Sequence, residues 1–397
     1  MRDVYVAGIG MTPFGKPGKS PSYVEMGSEA VRLALADAAV DYSKIQQAYA
    51  GYVYGDSCCG HRVIYGAGMT GIPIFNVNSN CSTGSSALFM ARQAIAAGAI
   101  DCALVVGFEQ MRPGALSEVW DDRPTPLEPF TGVAYDAYDI PRNVPIALAL
   151  FAAAGREYRT RYAMTSDDFA NASGRITSKA RLHATQNPKA VFRDPVSVEE
   201  VVNSPLLCDP ITRLAACPPT CGAAAAILVS GAYARQHGLR SDIRIRAQAM
   251  TTDTADTFDP PSGMNVVGYG MTQRAAARVF EEGSVDPREV KVAEIHDCFT
   301  VNELITYEAL GLADAGEAPA FIHRGDNTYG GRVVINPSGG LLSKGHPLGA
   351  TGLAQCNELV EQLRGSAGTR QVDDARLALA HNIGLGGSCV VTLYERV

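Results

Sequence analysis

At 397 residues, 46% hydrophobic and 19% charged, the chain has the composition of a soluble globular enzyme, with enough length for two domains or two similar halves. A net charge of −7 excludes a broad basic face for nucleic acid, although a local basic patch could still take an anionic cofactor.

The N-terminal MRDVYVAGIGMTPFG reads as a strand and a turn, without the charged start and apolar run of a signal peptide. No uninterrupted apolar stretch approaches the roughly 18 residues of a membrane span, and the closing TLYERV matches no anchor or address signal. A cytoplasmic location is expected. The ten cysteines are scattered and show no paired CxxC spacing, so they read as reduced thiols. Those in apolar runs, such as Cys102 in DCALVVGF and Cys389 in GGSCVVTLYE, read as small core residues.

Next come a helix end, an acidic turn and a strand in ADAAVDYSKIQQAYAGYVYGD (36–56). NVNSNCSTGSSALFMARQAIAAGAIDCALVVG (76–107) follows as a loop, a helix of small residues and a buried strand. The segment at about 111–217 is richer in charge and proline, and its helices read as surface-exposed. Its concentration of Arg and Lys suits either a lid for a phosphate-bearing substrate or a solvated helical excursion. The strand TCGAAAAILVSG (220–231) closes this part of the chain.

The pattern then repeats. FEEGSVDPREVKVAEIHDCFT (280–300) echoes 36–56, and NPSGGLLSKGHPLGATGLAQCNELVEQL (336–363) with ARLALAHNIG (375–384) echoes 76–107. GGSCVVTLYERV (386–397) echoes 220–231. Three matched segments in one order predict two related α/β halves, 1–231 and 232–397, differing by about 110 inserted residues in the first. Alternating strands and helices predict a mainly parallel sheet in each half. The unbroken apolar strands CALVVGF and AAAILVSG suit sheets covered on both faces.

Cys81 follows a strand and precedes a helix whose start Ser82, Thr83, Ser85 and Ser86 could cap. There the dipole and free N–H groups would lower a thiol's pKa, and Gly84 would let a substrate come close. The competing reading is a buried structural thiol. His346 in SKGHPLGATG is the repeat counterpart of Cys81, with Pro347 suited to the first helical position. Facing halves would present both to one cleft, and a Cys–His pair makes a nucleophile near neutral pH. His346 could equally be a satisfied structural histidine. In EIHDCFT, strand alternation puts His296 and Cys298 on one side and Asp297 on the other. A rival reading is a zinc site of Cys81, His296, Cys298 and His346, although no paired ligand motif supports it. NIGLGGS (382–388) could bring backbone donors to a reacting carbonyl or be only a tight connection.

Together NCSTGSSAL, HDCF, GGLLSKGHPLGATG and NIGLGGSCVVTLYE resemble the thiolases, of the sterol-carrier-protein-2 type, over the whole chain. The resemblance implies an α/β thiolase fold: two similar βαβαβαββ halves stacked in an αβαβα core with an inserted loop domain. It implies cleavage of 3-oxoacyl-CoA by CoA, or the reverse Claisen condensation. By motif, Cys81 forms the acyl-enzyme and His346 activates it. Many thiolases carry an acid/base cysteine in a CxG motif where this chain has Asn382-Ile383-Gly384, so the role passes to Cys298. His296 and His346 would hold the enolate oxygen, and the backbone N–H groups of Cys81 and Gly384 a second oxyanion. The family's DGAAA strand here reads Cys221-Gly222-Ala223-Ala224-Ala225, a structural departure.

Coenzyme A is the implied co-substrate, with no permanently bound cofactor, no metal and no CoA-contacting residue assigned. The implied partners are acyl-CoA esters and a second copy of the chain, as a homodimer or tetramer. With Val397 closing the last strand, any sterol carrier is expected to be a separate protein. Alternatives are a retro-aldolase working with an OB-fold partner, which in that group lacks the nucleophilic cysteine, and an acyl-CoA or lipid-binding protein without turnover.

Overall fold

The computed structural model describes residues 2–114, 119, 120 and 122–397; the insert's positions 115–118 and 121 lie outside the described residues. Strands β1 (Val4–Met11), β2 (Gln47–Gly51), β3 (Ile74–Val77) and β4 (Cys102–Glu109) precede the insert. The insert holds the short hairpin β5 (Leu206–Cys208) and β6 (Ile211–Thr212), and β7 (Gly222–Ser230) follows it. The later chain supplies β8 (Ile243–Thr251), β9 (Val292–Glu294), β10 (Val334–Ile335), β11 (Leu377–Gly384) and β12 (Ser388–Arg396).

The strand order is β10-β9-β11-β12-β8-β1-β7-β4-β2-β3. Outward from the middle, β1-β7-β4-β2-β3 on one side is matched by β8-β12-β11-β9-β10 on the other, the correspondence that the repeated segments predict. At the junction β1 meets β8 through one pair, Tyr5 with Arg244.

The sheets are less parallel than expected. β2 runs parallel to β3 and β4, but β4–β7 and β7–β1 are antiparallel, and the later strands repeat this arrangement. The reason is local. β11 turns into β12 across residues 385–387, where Gly386 and Gly387 have φ near +93° and +97°, and so short a turn can join only antiparallel strands. In the first half the insert occupies the place of this turn.

Three apolar clusters fill the spaces between five layers. Helices Thr83–Ala96 and Thr351–Arg364 form the middle layer, where Ala87, Ala91 and Ile95 pack with Leu353, Leu359 and Val360. The same cluster takes Val105 and Ala226 from one sheet and Ala378 and Tyr394 from the other. Helix Tyr23–Ala38 covers the outer face of the first sheet, and helix Tyr269–Gly283 that of the second. β4 and β7 are buried at every position, as strands covered on both faces must be.

The middle helices touch through glycine. A Cβ on Gly84 would lie 2.7 Å from the Gly349 carbonyl oxygen, and one on Gly352 only 2.1 Å from Ser85 Oγ. Gly84 therefore serves helix–helix approach rather than substrate approach.

The insert's helices are not the exposed excursion expected. Helix Ile146–Arg161 buries Ala149 through Gly155 and Tyr158, and helix Ser166–Ala184 buries Phe169, Ile176, Lys179 and His183. Both join the cluster on the outer face of the second sheet. Among the described residues no helix is long and apolar enough to cross a membrane.

Candidate active site

Cys81, His296 and His346 come together: one ligand atom from each lies within 4.8 Å of the other two, and all three residues are buried. The imidazoles stand edge to face, with centroids 5.0 Å apart and planes at 90°. Cys298 is buried beside them but is not part of that tight trio, so the four-ligand zinc set is not assembled.

Cys81 sits in the loop entering helix Thr83–Ala96, held by a left-handed Asn80 (φ 52°) whose Nδ2 donates to the Leu385 carbonyl at 3.1 Å. The expected side-chain caps do not form. Ser82 Oγ donates to the Ser79 carbonyl, Thr83 Oγ1 to the Asn80 carbonyl, Ser86 Oγ to the Ser82 carbonyl, and Ser85 Oγ reaches across to Asn382. These hydroxyls fix the loop and tie it to β11 instead of stabilising a thiolate.

Nor is the resting thiol acidic. Burial pushes Cys81 up to about 12, and the neighbouring Glu109 carboxylate adds to the rise. The backbone N–H groups of Cys81 and Leu385 pull the other way and are outweighed. Desolvation beats the helix terminus here, so the thiol needs a base. Gly384 presses against this loop, since a Cβ there would lie 2.1 Å from the Ser79 carbonyl oxygen.

His346 provides that base. It lies not at a helix start but in the extended link after helix Gly340–Ser343, bridged to Pro219; the next helix begins at Thr351. Residues 347–350 turn first, with the Pro347 carbonyl accepting from Ala350 N and Thr351 N. Thr351 Oγ1 donates its proton to the Pro347 carbonyl at 2.9 Å, so at 2.7 Å from His346 Nδ1 it can only accept. The imidazole proton is thus on Nδ1, and Nε2, buried without a partner among the described residues, keeps its lone pair in the cluster. Burial lowers His346 to about 3, which keeps it neutral.

His296 and Cys298 lie beyond the end of β9. The alternation persists past the strand: His296 turns to the cluster, while Asp297 accepts the N–H groups of Leu341 (2.6 Å) and Leu342 (3.3 Å). His296 is held well below its ordinary value by burial, then by the nearby His346 and His381. Burial likewise raises Cys298, with Cys217 and Cys81 adding to the effect.

Several contacts here were not foreseen from sequence. Glu109, at the end of β4, accepts Tyr54 N at 3.0 Å, Val53 N at 3.1 Å and Gly349 N at 3.0 Å, tying the His346 loop to the first half. Cys217 donates its N–H to the Cys298 carbonyl at 2.8 Å. Asn382 places Nδ2 2.8 Å from His296 Nδ1. An acid ending an apolar strand was a readable signal; the other two were visible only in three dimensions.

Several of the insert's cations are already paired, within the insert or with the second half. Arg156 and Arg159 meet Asp209, Arg161 meets Glu157, and Lys179 meets Glu303. They are not free for phosphate. A cavity of about 520 Å³ lined by Tyr158, Tyr162, Arg175, Pro319 and His323 contains none of the expected site residues.

Residues 4–121 match the thiolase N-terminal domain and residues 262–394 the thiolase C-terminal domain-like family. Sterol carrier protein 2 of Gallus gallus is 50% identical over 396 residues, covering 99% of this chain and 72% of that protein. The acetyl-CoA acetyltransferase of Methanothermobacter thermautotrophicus is 32% identical over 402 residues, covering 100% of both. Among solved structures, the Ltp2–ChsH2(DUF35) aldolase superposes with a TM-score of 0.82 at 24% identity, over 99% of this chain and 98% of that one. The chain belongs to the thiolase family, with the α/β thiolase fold and a thiolase-type acyltransferase function. Within that family its likeness is to the thiolase portion of sterol-carrier-protein-2 proteins.

Proposed function

We propose that the chain cleaves 3-oxoacyl-CoA with CoA, or runs the reverse Claisen condensation, through a thioester on Cys81. The observation that carries this reading is a protonated thiol beside an imidazole nitrogen with a free lone pair, in a buried cluster. His346 Nε2 takes the Cys81 proton and Sγ attacks the 3-keto carbon. The resulting oxyanion is held by the backbone N–H groups of Cys81 and Gly384. The bond between the α- and 3-carbons then breaks, leaving the acyl group on Sγ and an enolate on the departing acetyl-CoA. His296 and the now protonated His346 hold the enolate oxygen, and Cys298 protonates its carbon. The Cys298 thiolate takes the proton of incoming CoA, whose sulfur attacks the thioester. Cys81 leaves as thiolate and recovers its proton from His346.

CoA is thus a co-substrate, and the proposed halves are 1–231, with the insert at about 111–217, and 232–397. Support for a dimer is that β3 ends the sheet, its outer edge unpaired among the described residues, with Phe75 exposed. An aldolase working with an OB-fold partner is the second reading, favoured by the likeness to the Ltp2–ChsH2(DUF35) structure; it would leave Cys81 dispensable. Intact-mass spectrometry after mixing with acetoacetyl-CoA separates the two. A 42-Da adduct, the mass of an acetyl group replacing a proton, on the Cys81 peptide of wild type and not of Cys81→Ala supports the thioester. No adduct with short or long 3-oxoacyl-CoA sinks it.

A further inference from the structure

Both imidazoles of the cluster are neutral, so each has one N–H and one lone pair, and catalysis depends on which nitrogen has which. His346 takes its assignment from Thr351, as above. For His296 the deciding group is Asn382. In the structure the amide oxygen of Asn382 faces Ser85, whose Oγ donates to Oδ1 at 3.0 Å. The other end, Nδ2, is a donor with no lone pair to offer, and it faces His296 Nδ1 at 2.8 Å. Nδ1 must therefore accept, and the proton is on Nε2.

The backbone at both residues is fixed as well. Asn382 lies within β11, paired to Val390, and the His381 carbonyl beside it accepts from Gln355 Nε2 at 3.0 Å. The His296 carbonyl accepts from Asn302 Nδ2, and its N–H faces His381 Nδ1 at 3.4 Å. The relay links the Cys81 helix to β11 and β11 to the segment after β9. Ser85, Asn382 and His296 are all buried.

We infer that Asn382, oriented by Ser85, is a positioning residue that keeps the proton of His296 on Nε2, making His296 a donor to the enolate oxygen. The two cluster histidines are thereby given opposite tautomers for opposite tasks: His346 begins as an acceptor for the thiol proton, and His296 as a donor to oxygen. A second consequence concerns metals. A metal-bound imidazole nitrogen must give up its proton, and its other nitrogen then donates. Asn382 blocks that arrangement at His296, so a Cys–His–His trio of a kind zinc accepts is biased against holding it.

This inference rests on the thiolase reading of the site, and its test separates the two. Nitrogen-15 NMR of the histidine-labelled protein, with His296 assigned by its loss in His296→Asn, reports the protonated nitrogen directly. A protonated Nε2 with a bare Nδ1 is expected, and the reverse overturns the inference whatever the enzyme does. The kinetic arm compares two reactions of acetyl-CoA. Exchange of its CoA with labelled CoA needs only the Cys81 thioester, whereas deuterium uptake at its methyl carbon needs the enolate. In Asn382→Ala the His296 signals should show mixed tautomers, and deuterium uptake should fall about 30-fold while CoA exchange stays within threefold. Ser85→Ala should show the same selectivity with a smaller fall, guarding against a folding defect in the first variant. Equal loss of both reactions, or loss of neither, overturns the positioning role. If wild type exchanges no CoA, the thiolase reading fails while the NMR result still stands or falls alone.

Discussion

Glu109 is the residue whose charge most concerns the nucleophile without touching substrate. Burial raises its carboxyl to about 7, against the pull of the Tyr54, Gly349 and Val53 N–H groups. An acid with a raised folded-state pKa favours the fold fully below its unfolded value of about 4.5, and loses that advantage as pH rises to about 7. The window is worth on the order of 3 kcal/mol. Stability measured by urea unfolding should therefore decline from pH 4.5 to 7 more steeply in wild type than in Glu109→Gln. A parallel slope in the two proteins would show that Glu109 does not titrate there. The variant should also alkylate faster at Cys81 at pH 8, since the charge that helps to raise the thiol is gone. In wild type, iodoacetamide labelling of Cys81 should climb about tenfold per pH unit from 7 to 10 with no plateau, as expected of a thiol near 12. A plateau below pH 9 would mean that the helix terminus outweighs burial after all.

At the scale of elements, the two middle helices set how closely the catalytic loops approach one another. Gly352 faces Ser85, and a Cβ there would come within 2.4 Å of Ser85 N. Gly352→Ala must push the helices apart, at a cost of about 1–3 kcal/mol, and it displaces the hydroxyl that orients Asn382. Both the denaturation midpoint and the acyltransfer rate should drop. An unchanged midpoint would mean that the helix pair is softer than its packing suggests. The small-residue helix after Cys81 was legible because Ala, Ser and Gly leave no polar face. Its N-terminal hydroxyls were misread because capping is a local rule, and here long-range partners claim them, Ser388 on β12 for Ser82 and Asn382 on β11 for Ser85. His346 was placed correctly opposite Cys81 by the repeat, but its Pro347 begins a turn and not the helix. The antiparallel strands were missed for a similar reason. Apolar runs report burial, whereas direction is set by what joins the strands, as the glycine turn at 385–387 shows.

At the scale of the whole molecule, the question is whether the insert is a lid on a finished core or part of that core. Composition left a lid and a solvated excursion equally open, but the buried pair of Lys179 with Glu303 joins the insert to the second half. Glu303 is fully buried on helix Thr300–Ala309; burial raises the nearby Asp297 carboxyl to about 8, the Glu303 charge adds to that rise, and Lys179 opposes it. Lys179→Met would remove the only cation that Glu303 contacts among the described residues. Breaking one side of a buried pair costs about 3–5 kcal/mol, because the remaining charge stays desolvated. Calorimetry should show one transition in wild type and one, at lower temperature, in Lys179→Met, because the insert and the second half share a hydrophobic cluster. The double variant Lys179→Met/Glu303→Gln should recover much of the loss, since no uncompensated charge remains. Two separate transitions in either single-chain protein would instead make the insert an autonomous domain that the pair merely tethers.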